Sequence, residues 1–586
     1  MLPNARENGQ IGHSTTVRAA RGAGSGQHLA SVLQAGRKNV KIDAVWDSSG
    51  KSRVSHDGRY CEPALRQALR TCTATLLILL VLTKAYCSFT AVGNAPAQSA
   101  LAAATMLIPQ VQVQNTPTVI AIGSSASPAY PLKASASNRY LVDQNDVPFL
   151  MVGDSPQALI GNLSPMEAAF FMENRRRHGI NALWINLLCN DGTACNADGT
   201  TFDGLAPFTT ANDLSTPNPA YFERADGIIN LADANGIVVI LDPIETIGWL
   251  RTLRANGIDK AFVFGQYLGN RYKSFPNIIW MHGNDFQTWQ EETDDALVQA
   301  VARGIRSVDS NHIHTVELNY STSGSLEDQS WAPLIELNAA YTYFPTYAQV
   351  LTEYNRSNFK PVFMVEANYE FEHGSGTDGG STQNLRRQEY WTMLSGATGQ
   401  LYGSAHTWQL QKGWKSNLDT PGVIQLGYMK NLFALKKWYD LIPDQTHTVV
   451  TAGYGRFSCL AGMALAYFGK DPSLWKDPSF IARMLLRLRK HLAIGSITTS
   501  TCVTAARTSD ESLVMAYLPT IRTITVDMSK LASVATARWY DPTNGEYTDI
   551  DDSPFANTGS REFTPPRSNS SGDGDWVLVL EAAAAR

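Results

Sequence analysis

Across 586 residues the sequence has only seven cysteines, and no two stand at Cys-x-x-Cys spacing. That excludes a zinc ribbon, a thioredoxin-like redox pair and a dense disulfide framework. His-Glu-x-x-His and clustered Cys/His tracts are absent, so no metal site is expected. Gly-x-Ser-x-Gly is missing too, which removes the serine nucleophile elbow. Basic charge is not in excess: 48 Lys and Arg stand against 53 Asp and Glu, for a net charge of −5 and a pI near 6.1. A nucleic-acid partner is therefore not expected. The apolar run Thr75 to Thr83 is too short to span a bilayer comfortably and stops at Lys84, so no stable membrane partner is expected either.

What is present describes a globular chain, 44% hydrophobic and 17% charged, too long for one core. Thirteen Trp and 22 Tyr suit sugar stacking and large cores equally. Cys189 and Cys195 lie close together in a turn-rich loop and can pair locally in an oxidising compartment.

Residues 1 to about 70 are rich in Gly, Ser, Arg and Gln, without periodicity, and the expectation for 1–130 is a disordered extension. Its apolar segment at 73–90 has a basic flank (Arg66, Arg70) and small residues after it, the texture of a secretory signal placed far from Met1. An over-extended reading frame starting in truth near residue 70 explains that; a core helix or an internal anchor is the alternative. The expected location is extracellular.

From about residue 131 to 445 apolar, strand-length runs alternate with helical patterns. The strand candidates are Phe149–Gly153, Ala182–Asn186, Ile237–Leu241, Ile278–Met281, His314–Leu318, Leu337–Tyr341, Val362–Val365 and Leu401–Ala405, the fifth and sixth being the weakest. Helices are expected over Ser164–Gly179, Tyr221–Gly236, Asp295–Val308, Tyr347–Tyr354, Leu385–Gly396 and Gly427–Tyr439. Eight such repeats predict a (β/α)8 TIM barrel. An open doubly wound sheet fits less well, because Gly153-Asp154-Ser155-Pro156 stands where a phosphate-binding glycine loop would follow the first strand.

Residues 446–586 read as a small all-β sandwich, with Asp541-Pro542-Thr543-Asn544-Gly545 as a strong hairpin signal. A basic helical stretch at about 456–496 interrupts it. A translated intron accounts for that stretch, and a solvated helical insert is the plainer alternative.

Several barrel strands stop at a polar residue, and a parallel barrel brings those ends to one face. Asp154 and Gln157 follow the first strand, Asn186 the second, and Asp242 and Glu245 the third. His282, Asn284 and Asp285 follow the fourth, and Asn319 the fifth. Tyr341 and Tyr343 follow the sixth, Glu366, Asn368 and Glu370 the seventh, and His406 and Trp408 the eighth. Asp285 and Glu366 end their strands without an intervening loop and are the candidate catalytic pair, since glycoside hydrolysis needs two carboxyl groups. The remaining fourteen are candidate substrate-binding residues, Asp242 and Glu245 being the rival acids. The structural alternative is a helix-capping Asp and a Glu paired with, for example, Arg386. His312 and His314 sit two apart on one strand and read as packing or surface residues.

The segments Asn138-Arg139-Tyr140-Leu141-Val142-Asp143 with Phe149 to Ser155, Trp280-Met281-His282-Gly283-Asn284-Asp285 and Val365-Glu366-Ala367-Asn368-Tyr369-Glu370 resemble the apiosidase-like glycoside hydrolase family over about residues 130–445. The segment through Arg538-Trp539-Tyr540-Asp541-Pro542 and Gly574-Asp575-Trp576 is similar to a β-domain named for collagen binding. The first resemblance implies a (β/α)8 barrel that cleaves glycosidic bonds in plant cell-wall pectin, with Asp285 as acid/base and Glu366 as nucleophile. The expectation is thus a secreted, cofactor-independent, retaining and monomeric enzyme with a polysaccharide or oligosaccharide substrate. A non-catalytic carbohydrate- or matrix-binding protein, and a glycosidase of other sugar specificity, are the alternatives.

Overall fold

The computed structural model describes residues 127–286, 291–319, 322–372, 380–455 and 495–583. The signal-like segment at 73–90 and nearly all of the 456–496 insert lie outside the described residues. Among the described residues no helix is long and apolar enough to cross a membrane.

All eight expected barrel strands form. They are β1 (Met151–Asp154), β2 (Ala182–Asn186), β3 (Val238–Asp242), β4 (Ile278–Phe286), β5 (His314–Leu318), β7 (Asn338–Thr342), β8 (Val362–Glu366) and β9 (Gly399–Tyr402). An additional short strand, β6 (Thr322–Gly324), runs antiparallel beside β7. The sheet order is β5-β4-β3-β2-β1-β9-β8-β7-β6, a nearly closed TIM-like barrel. These runs show almost no apolar/polar alternation because both faces are covered. Met151, Trp184, Ile240, Met281, Tyr341 and Val365 pack in one inner cluster, whereas Ile185, Leu241, Trp280 and Val316 pack in the layer against the helices.

Strands β5 and β7 meet at the seam of the barrel. Instead of a continuous ladder, the Ser325 hydroxyl accepts from the Ala339 amide at 2.8 Å and donates to the Val316 carbonyl at 2.6 Å. A side chain thus takes over part of the backbone's hydrogen-bonding task.

Six of the helices match the sequence patterns: α1 (Pro165–Arg177), α2 (Pro219–Ala234), α4 (Glu292–Arg306), α5 (Thr346–Tyr354), α6 (Thr382–Leu394) and α7 (Pro421–Ala434). Ser164 caps α1 in a full capping box with Glu167, as its Ser-Pro-x-Glu start predicts. The sequence pattern did not reveal α3 (Thr246–Tyr272), two helical segments that meet at a kink at Gly257 (φ +76°) and also carry Gly248, Gly265 and Gly269. Two of these glycines meet a neighbour's backbone: a Cβ at Gly265 would lie 2.2 Å from the Val301 carbonyl oxygen. Close packing of α3 on α4 thus selects glycine over helix propensity.

The described residues of the C-terminal part form two antiparallel sheets, of six strands and of three. The six-stranded sheet begins at Leu441–Pro443, ahead of the expected boundary at 446. Gly545 at φ +79° closes the expected hairpin turn, its amide bonded to the Asp541 carbonyl at 2.9 Å. This part packs on α6, whose residues 384–394 are all buried. Arg386 donates to both oxygens of Asp575 at 2.8 Å and to Asp573 at 2.6 Å, and Trp391 donates to the Cys502 carbonyl at 2.9 Å. Tyr390 stacks on Tyr517 with centroids 5.0 Å apart.

Candidate active site

Both candidate acids sit where strand register breaks. Along β8, Phe363 pairs with Ala339 and Met364 with Ala340, but Glu366, not Val365, pairs with Tyr341. The bulge at Val365 turns Glu366 to the side of Tyr341, which belongs to the inner cluster. Along β4, His282 pairs with Val316 and Phe286 with Leu318, so Gly283, Asn284 and Asp285 stand opposite the single residue Glu317. Those three residues have φ of +111°, +66° and +53°.

Glu366 is buried and accepts from phenols on both oxygens. The Tyr341 hydroxyl is 2.8 Å from Oε1, Tyr343 also bonds Oε1, and the Tyr369 hydroxyl is 3.0 Å from Oε2. Gln157 in turn donates to the Tyr369 hydroxyl at 3.3 Å. Tyr341 also lies within hydrogen-bonding reach of Asp285, whose Oδ1 is buried without a partner. Burial raises both acids above the ordinary carboxylate range, and the Asp285 charge adds to the effect on Glu366. Two such neighbours do not both ionise readily near neutral pH. Bonds from Tyr343, Tyr341 and Tyr369 oppose that rise at Glu366, and Tyr341 opposes it at Asp285.

The polar strand ends divide into two groups. Asn186 donates to the Asn284 side-chain oxygen at 3.1 Å and accepts from the Trp184 indole at 3.0 Å. Asp242 accepts from the Ile244 amide through Oδ1 and keeps a buried Oδ2 without a partner. Glu245 caps α3 through the Gly248 amide at 2.8 Å and leaves Oε1 without a partner. Burial raises it to about 7. Asn319 follows β5, half-buried. His406 is exposed beside Phe371, with ring centroids 4.9 Å apart, and Trp408 is half-buried.

Four other candidates are held by internal partners. Asp154 forms a fully buried ion pair with Arg175 at 2.6 Å. Glu370 accepts from Thr420 at 2.6 Å and from the Gly422 amide at 2.9 Å, and also from Tyr402, which ties the strand end to the start of α7. Asn368 exchanges bonds with Gln388 of α6, its amide at 3.1 Å from Oε1 and its carbonyl at 2.9 Å from Nε2. His282 does not join the acids: it stacks on Trp331 and bonds His314 at 3.0 Å. Burial lowers it to about 3, so it is neutral.

His312 is engaged by Asp309 at 2.7 Å, and no group of three potential metal ligands occurs among the described residues. Arg386, the ion-pair alternative for Glu366, is engaged by Asp573 and Asp575 instead. Two residues at the site were not singled out from sequence. Tyr369 was hidden because a tyrosine three places past a strand carries no local signal. Glu317 carried one: an acid in the strand pattern His314–Leu318 with no surface to reach.

A TIM-like barrel with buried acids and phenols meeting at strand ends has the architecture of a glycoside hydrolase, and the family match agrees. Residues 135–440, just over half of the chain, match the family described as "Apiosidase-like, catalytic domain", and the protein belongs to that family. Residues 492–581 match a family named for a collagen-binding domain of a collagenase. A solved structure titled "Glycoside hydrolase" is 23% identical with a TM-score of 0.63, covering 78% of this chain and 98% of its own. A glycoside hydrolase family 5 protein from Bacteroides vulgatus ATCC 8482 is 21% identical with a TM-score of 0.63, covering 78% and 94%. None of the curated proteins matches the chain.

Proposed function

We propose that this glycoside hydrolase is a retaining, apiosidase-like enzyme acting on pectic polysaccharide, with Glu366 as nucleophile and Asp285 as acid/base. The observation that carries the assignment is the phenol-ringed Glu366 beside an Asp285 oxygen that has no protein partner. Glu366, its charge favoured by three donors, attacks the anomeric carbon while Asp285 protonates the departing oxygen. Water then enters, Asp285 removes its proton, and the glycosyl–Glu366 bond breaks. Asn186, Asn284, Asp242, Glu245 and Asn319 would meet sugar hydroxyls, with His406 and Trp408 at the rim. Asp154, Gln157, Glu370, Asn368 and His282 serve the scaffold in this reading, and Tyr341 and Tyr343 serve Glu366.

The Cys189–Cys195 disulfide, Cα atoms 5.7 Å apart, supports a secreted protein. Sugar release from pectic oligosaccharides and aryl apiosides tests the substrate class. Release of apiose supports it, and binding without turnover would point to a carbohydrate-binding protein instead. Methanolysis tests the stereochemistry: a methyl glycoside of unchanged anomeric configuration is expected, and the inverted one rejects retention.

A further inference from the structure

Glu317 of β5 is fully buried, and its carboxyl faces Asp285, Glu366 and Asp242, with the phenols of Tyr341 and Tyr369 close enough to sense its charge. Its Oε2 accepts from the Asp285 amide at 3.1 Å, and its Oε1 has no partner. The contact is also steric, since a Cβ on Gly283 would lie 2.1 Å from the Glu317 carbonyl oxygen. Asn284 and Asp285 both hold left-handed backbone, which persists only where the surroundings impose it. Thr246 restrains the same turn from the other side, its hydroxyl 2.6 Å from the Gly283 carbonyl. For stability alone a buried acid with an empty oxygen is a poor choice. Burial, and then its like-charge neighbours, favour its neutral form, whose carbonyl-type oxygen still accepts the amide.

We propose that Glu317 is a positioning residue for Asp285, holding the strained Gly283–Asp285 turn so that the proton-donating carboxyl meets the departing oxygen. The inference rests on the assignment of Asp285 as acid/base. Glu317 itself does not touch the reacting atoms, so its removal should matter only where proton donation matters.

The test compares wild type, E317Q and E317L on a 2,4-dinitrophenyl apioside, whose phenolate departs without a proton, and on a methyl apioside, whose methanol departs only when its oxygen is protonated. E317L should lose roughly 100-fold in kcat/KM on the methyl apioside and only a few-fold on the dinitrophenyl one. E317Q keeps an accepting oxygen and should stay within about threefold of wild type on both. Equal losses on the two substrates, or none, overturn the proposal. So does an E317Q as inactive as E366Q, which would make Glu317 a reacting group. D285N is measured alongside: if it keeps full activity, the acid/base assignment fails whatever E317L does. Hydrogen exchange at the Asp285 amide needs no substrate, and should quicken at least about tenfold in E317L but not in E317Q. Unchanged exchange in E317L overturns the proposal independently. Should E317L not fold, E317A carries the same comparison.

Discussion

The two acid-bearing strand ends are built in opposite ways. Glu366 is fixed through its side chain: phenols from three positions hold its oxygens, and α6 braces the following loop through Gln388 and Asn368. Asp285 is fixed through its backbone, by a left-handed turn pressed on β5, while one carboxyl oxygen has no partner. The difference suits the two tasks proposed for these acids. A nucleophile gains from a charge held in one place, whereas an acid/base must release and recover a proton and needs an unencumbered oxygen.

The contrast is broken most directly at the acids themselves. E366Q should lower kcat/KM roughly 10,000-fold or more whatever the leaving group. D285N should lose about 100- to 10,000-fold on a poor leaving group and far less on dinitrophenyl. Equal responses of the two variants to the leaving group would erase the distinction.

The brace behind Glu366 is tested next. R386M leaves the buried Asp575 without its cation and should cost about 3–5 kcal/mol, read as a lowered unfolding midpoint. R386M with D575L should recover much of that loss.

Y343F removes one donor from Glu366 and should lower kcat/KM about tenfold. Donors favour the ionised form, so their loss raises the Glu366 pKa. The acid limb of the pH profile should therefore move to higher pH, while an unmoved limb would uncouple the phenols from the charge.

The smallest effect belongs to Glu389 of α6, which burial raises to about 8 and whose Oε2 has no partner. Its folded value lies above its unfolded value, so stability falls as pH climbs from about 4.5 through 8. E389Q should match wild type in thermal unfolding at pH 4 and exceed it by several degrees at pH 9.

Legibility followed the same division. Glu366 could be picked out because an apolar run ends on it, and the phenols Tyr341 and Tyr343 because they end another. The inward turn of Glu366 could not, since a one-residue bulge is invisible without the partner strand. His282 was placed with the site because it lies close to Asp285 in sequence, but it packs against Trp331 in the outer layer. Asp154 and Glu370 looked like sugar binders because their partners, Arg175, Thr420 and Gly422, are not recognisable as partners in the linear chain. Helix α3 escaped because Gly265 and Gly269 answer to the packing of α4 and Gly257 kinks the helix, so its own periodicity is broken.

By itself the sequence determined the repeating strand and helix order, the β texture after the barrel and the two acids at strand ends, because apolar periodicity and turn chemistry are local properties. Only the tertiary structure decided which acids share a chamber, that Glu317 stands opposite Gly283–Asp285, and which oxygens are spoken for. Register shifts, burial and hydrogen-bond partners arise between segments far apart in the chain, and those set the charge each carboxyl carries.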